Sequence, residues 1–72
     1  MITPTFLAAK AAGYRAAAES SRDHMHRLHD IIVNSKNPHP SESVEYSYWK
    51  GKFEAYTLIA YELEALVRKE ND

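Results

Sequence analysis

The stretch from Ser43 to Arg68, SVEYSYWKGKFEAYTLIAYELEALVR, places Trp49, Phe53, Tyr56, Ala60, Leu63 and Val67 at alternating steps of four and three. That spacing lines six apolar side chains along one stripe of an α-helix, the pattern of a packing seam. It contains no catalytic or cofactor signature. The stretch specifies a helical packing surface and leaves the biochemical function open.

A seam needs a second surface, and the preceding half of the chain supplies one. Leu7, Ala11, Tyr14, Ala18, Ser21, Met25, Leu28 and Ile32 follow the same four-three alternation without interruption. A repeat sustained over more than three heptads reads as a face directed at another helix. Alanines at 8, 9, 11, 12, 16, 17 and 18 favour helix with little help from packing. Thr3-Pro4 is a helix start, because a threonine oxygen accepts a bond from an early amide and proline is tolerated at the first helical position. Ser21 falls inside the seam, where its hydroxyl requires a partner if buried. Gly13 also lies inside the pattern and costs about 1 kcal/mol relative to alanine. A bend there would fold residues 3–12 back as a short third helix.

Between the two repeats, Asn34-Ser35-Lys36-Asn37-Pro38-His39-Pro40 is a break, since two prolines disfavour helix at themselves and at the residues before them. A connection this short joins antiparallel neighbours. Ser41 or Ser43 is placed to cap the second helix, with Glu42 and Glu45 in its first turn at the positive end of the dipole. The predicted helix runs from about Ser43 to Lys69. The fold class is therefore all-α: one domain over residues 1–72, an antiparallel hairpin of two long helices, with a short third N-terminal helix if Gly13 breaks the first.

Size limits what such a hairpin buries. A domain near 72 residues hides only about 60% of the surface its unfolded chain exposes. With no cysteine, neither a disulfide frame nor a thiolate zinc site supplements the core. Self-association or a stable partner is the remaining support. The net charge of −1 gives no general attraction to a polyanion, so nucleic acid is not the leading partner. The opening MITPTFLAAKAAGYR lacks a basic start followed by an unbroken apolar run, so neither signal peptide nor membrane span is expected, and a cytoplasmic location is.

Four groups of residues bear on chemistry. Asp23-His24-Met25-His26-Arg27-Leu28-His29-Asp30 gathers three imidazoles and two carboxylates, and on a helix Asp23, His26 and Asp30 share a face. His26 and Asp30 are accordingly the candidate metal ligands, although no histidine pair has the i, i+4 spacing of the His-Glu-x-x-His zinc helix, and a solvated polar face is the plainer reading. The same histidines are candidates for pH sensing if His24 or His29 borders the seam. The serines lie in no nucleophile motif and the two glycines make no phosphate loop, so neither catalysis nor a cofactor is expected. Aromatics interleaved with Lys50 and Lys52 superficially suit base stacking, but Trp49, Phe53 and Tyr56 belong to the seam. Leu58, Tyr61 and Ala65 fall outside it at steps of three and four, and Thr5, Phe6 and Leu7 give an apolar end that a short helix could present to a groove; these six are the candidate partner-binding residues.

At Tyr48-Trp49-Lys50-Gly51-Lys52-Phe53-Glu54-Ala55-Tyr56 the chain resembles small phage-encoded helical-hairpin proteins, in which an aromatic, a basic-Gly-basic triplet, an apolar residue and Glu-Ala open an amphipathic C-terminal helix. The resemblance implies a compact non-enzymatic protein that modulates a larger host assembly by binding it, as inhibitors of host RNA polymerase and anti-defence proteins do. The leading expectation is thus a transcriptional regulator or inhibitor of that kind. The alternatives are an oligomeric binder of a small ligand or metal, of anti-defence type, and a nucleic-acid-binding helical protein using Lys10, Arg15 and Arg22.

Overall fold

The computed structural model describes residues 3–71, which form two helices packed against each other: α1 (Pro4–Asn34) and α2 (Pro40–Asn71). No strand occurs among the described residues. The hairpin extends 53 × 15 × 14 Å, with a Cα radius of gyration of 16.2 Å. A compact domain of this length would have about 11 Å. The chain is one layer of two helices, with no third element to enclose it.

Helix α1 begins as its sequence predicts. Thr3 is extended and stands at the N-cap, the Phe6 amide donates to its Oγ1 at 3.1 Å, and Pro4 follows in the first turn. From there α1 runs unbroken through Gly13, which has no positive φ, so the separate third helix does not form. The about 1 kcal/mol that glycine costs in a helix interior is outweighed by the thirty-one-residue helix around it and by the seam on both sides of it.

Helix α2 starts earlier than expected. Proline is accepted at Pro40 because the first helical amides lack intrahelical acceptors anyway. His39, not Ser41 or Ser43, does the capping: its ring Nδ1 accepts from the Ser41 amide at 3.1 Å, with the Ser41 hydroxyl 2.8 Å away. The Glu42 amide donates to the His39 carbonyl at 2.9 Å, closing the first turn. At the far end Arg68 and Lys69 lie in the last turn, where cations favour the negative end of the dipole.

Both sequence seams face inward. Ala11, Ala18, Ser21 and Ala60 are buried, and the larger members on either helix, Tyr14, Met25, Leu28, Trp49, Phe53 and Leu63 among them, are half-buried. The fully covered positions are thus all small, which lets the helices approach closely while the bulky residues overlap the junction from its edges. Ser21 satisfies its hydroxyl by donating to the Ala17 carbonyl at 2.9 Å, one turn back on its own helix. Two aromatic contacts fix the register: Tyr14 meets Tyr56 with ring centroids 6.0 Å apart, and His24 stacks on Trp49 at 4.0 Å, 13° from parallel.

Candidate functional site

The antiparallel pairing gives the hairpin two broad faces and two outer edges, and sorts the candidate residues among them. Leu58 and Ala65 lie on the outer edge of α2, seven residues apart, with Tyr61 beside them. Leu58 is 58% and Tyr61 60% exposed, so this strip touches nothing in the hairpin that would explain its apolar character. Thr5 and Phe6 are also exposed, Phe6 at 50%, with the Lys10 ammonium 5.6 Å from its ring centroid. Leu7, by contrast, is half-buried in the seam and is no part of a free surface. The six partner-binding candidates are therefore three neighbours on α2, two residues at the start of α1, and one core residue.

The histidine run separates in the same way. His26 and Asp30 are exposed, and no group of three or more His, Asp or Glu side chains placed to hold a metal ion occurs among the described residues. His24 instead is half-buried at the seam's edge against Trp49. Its Nδ1 accepts from the Arg27 guanidinium at 2.9 Å, so Arg27 is held by the ring in place of the carboxylate of Asp23 one turn away. His29 tilts toward Tyr46 with centroids 6.3 Å apart. Of the three clustered imidazoles, His24 thus borders the seam as a packing group, while His26 and His29 are exposed.

Nor do the three cations Lys10, Arg15 and Arg22 all share one face. Arg15 is engaged with Glu64 of the other helix, its Nη2 donating to Oε1 at 2.6 Å and its Nε to Oε2 at 3.2 Å. This fork supersedes the in-helix pair of Glu64 with Arg68 that the sequence spacing offers. The hydrogen bond from Arg15, with smaller help from the charges of Arg15 and Arg68, holds the Glu64 carboxyl below its ordinary value, and that same bond holds Arg15 above its own. At 39% and 36% side-chain exposure the pair is screened by solvent, so it fixes register more than it adds stability. Lys10 lies across the hairpin from Arg15, in the groove lined by Gly13, Ala17 and Tyr56 and not the one lined by Arg15, Glu64 and Arg68. Lys52 stands over Tyr48 and Tyr56, 5.1 and 5.8 Å from their centroids, and its interaction with the Tyr48 hydroxyl, helped by Tyr56, holds it above its ordinary value.

Among the described residues no helix is long and apolar enough to cross a membrane. Comparison with known protein families, with curated proteins and with solved structures finds no match. The functional reading therefore rests on what the hairpin leaves uncovered.

Proposed function

We propose that this chain is a small non-enzymatic regulatory protein that binds a larger host protein assembly stoichiometrically, acting in the host cytoplasm, with bacterial RNA polymerase as the leading target. The resemblance of residues 48–56 to phage-encoded hairpin proteins motivates the class of target. The carrying observation is the outer strip of α2, where Leu58, Tyr61 and Ala65 stand exposed on a rigid helix. Tyrosine is enriched at interface centres because its ring buries large area at small entropic cost while its hydroxyl stays hydrogen-bonded. A helix presenting such residues at steps of three and four suits a groove on a partner.

The test is retention of bacterial proteins on the immobilised chain, identified by mass spectrometry and repeated with purified RNA polymerase. Wild type retains the polymerase, and a Leu58→Ala, Tyr61→Ala chain loses it, each truncation weakening binding by about 1–2 kcal/mol or more. Failure of the wild type to hold polymerase removes the proposed target. Equal retention by the double variant removes the proposed surface.

A further inference from the structure

The seam uses one stripe of each helix, yet a second stripe of the same period runs beside it. On α1 it contains Phe6, Lys10, Gly13, Ala17, Arg27 and Ile31, and on α2 Tyr48, Lys52, Ala55, Ile59, Glu62 and Leu66. Grooves locate the α1 stripe on one broad face: Lys10, Gly13 and Ala17 share one with Tyr56 of the seam, and Arg27 and Ile31 share another with Glu45 and Trp49 of α2. Residues of the opposite flank, Ala8, Ala12, Arg15, Glu64 and Arg68, line the groove on the other side. In an antiparallel pair equivalent flanks of the repeat fall on the same side, so the two second stripes lie together. Phe6, Ile31, Tyr48, Ile59 and Leu66 are all exposed on this face, whereas the other carries Arg15, Arg22, Glu54, Glu64 and Arg68 with Val33 and Tyr61 as its exposed large apolar side chains.

We propose that this face is covered by a second copy of the chain, giving a four-helix bundle whose twofold axis runs parallel to the helices. Such an axis lays α1 of one copy over α2 of the other at equal height. Apolar residues and opposite charges are then brought together along part of the face. Phe6 meets Leu66 of the second copy, Lys10 meets its Glu62, and Arg27 meets its Glu45. Ile59 of the second copy enters the notch between Gly13 and Ala17. An end-for-end twofold would instead lay Lys10 over Arg27, placing like charges together.

A Cβ built on Gly13 meets nothing within 4 Å, so the hairpin leaves open space there that a side chain of the second copy can enter. A face 53 Å long and 15 Å wide offers on the order of 800 Å² per copy, enough for a stable protein interface when it is covered along its whole length. Charge complementarity selects a copy of this chain over an unrelated helix. Leu58, Tyr61 and Ala65 remain outside, so pairing displays that strip twice and takes Phe6 into the bundle.

Sedimentation equilibrium of the isolated full chain tests the pairing apart from any host partner. Wild type sediments at twice the chain mass of 8.2 kDa. Gly13→Leu leaves the hairpin helical by circular dichroism but overfills the notch, raising the dimer dissociation constant about tenfold or more. Lys10→Glu weakens pairing severalfold, and adding Glu62→Lys to the same chain restores it. A wild type at 8.2 kDa overturns the proposal, including the case in which another protein covers the face. So does a Gly13→Leu or Lys10→Glu chain that pairs as tightly as wild type.

Discussion

Replacing Ala60 by leucine tests the closeness of the two helices directly. Ala60 is 0% exposed, and the other buried residues, Ala11, Ala18 and Ser21, are equally small and all on α1. Leucine adds three carbons where no space is open. Overfilling a packed junction costs about 1–3 kcal/mol. Helix propensity barely differs between alanine and leucine, so it does not offset this. A small domain of this kind has only about 3–5 kcal/mol to lose, and each kcal/mol moves Tm by about 4–8 °C, so Ala60→Leu should melt some 5–15 °C below wild type. Circular dichroism melts at a fixed chain concentration measure it, fixed because association makes Tm concentration-dependent. Ala65→Leu is the control: Ala65 is exposed, and its change should stay within about 0.5 kcal/mol. An Ala60→Leu chain melting at or above wild type would refute the close seam.

The remaining tests each address one contact. Gly51 is exposed and a Cβ there meets nothing within 4 Å, so Gly51→Ala should stabilise α2 by about 1 kcal/mol in a denaturant titration. Thr3→Ala removes the hydroxyl that accepts from Phe6 and should cost about 1 kcal/mol, read as fraying at the start of α1 in amide exchange. His24→Ala unstacks Trp49 and should cost about 0.5–1.5 kcal/mol in aromatic contact beyond lost area, with a red-shifted tryptophan emission as the second readout. Because Glu64 lies below its ordinary value of 4.5, its contribution is complete above that pH and disappears as pH falls through the depressed folded value. Glu64→Gln should therefore remove a small part of the acid-side loss, and a Glu64 carboxyl titrating at its ordinary value by NMR would show the fork with Arg15 to be absent in solution.

Most of the fold was readable because its determinants are local or periodic. Every member of the four-three spacing of Leu7 to Ile32 and of Trp49 to Val67 is buried or half-buried, although Ala17, His24, Tyr46 and Thr57, outside it, are half-buried as well. Thr3-Pro4 gave the first cap for the same local reason. The start of α2 was misread because Pro40 was weighed as a helix breaker, although the first turn is where proline costs least, and a histidine cap has no strong sequence signature. The partner of Glu64 was not legible, because spacing reveals neighbours along one helix while Arg15 reaches Glu64 from the other. The broad face bearing Phe6 and Ile59 was missed for a further reason. Lys52 and Glu62 interrupt its apolar run, and only the hairpin shows which flank of each helix lies alongside the other.

Two-dimensional NOE spectroscopy on the full chain probes the antiparallel register from which both faces are derived, helped by Trp49 being the single tryptophan. Cross-peaks between the His24 ring and the Trp49 indole, whose centroids lie 4.0 Å apart, should appear together with weaker ones between Tyr14 and Tyr56 at 6.0 Å. An indole whose only NOE partners lie on its own helix would contradict the hairpin and, with it, every surface assigned here.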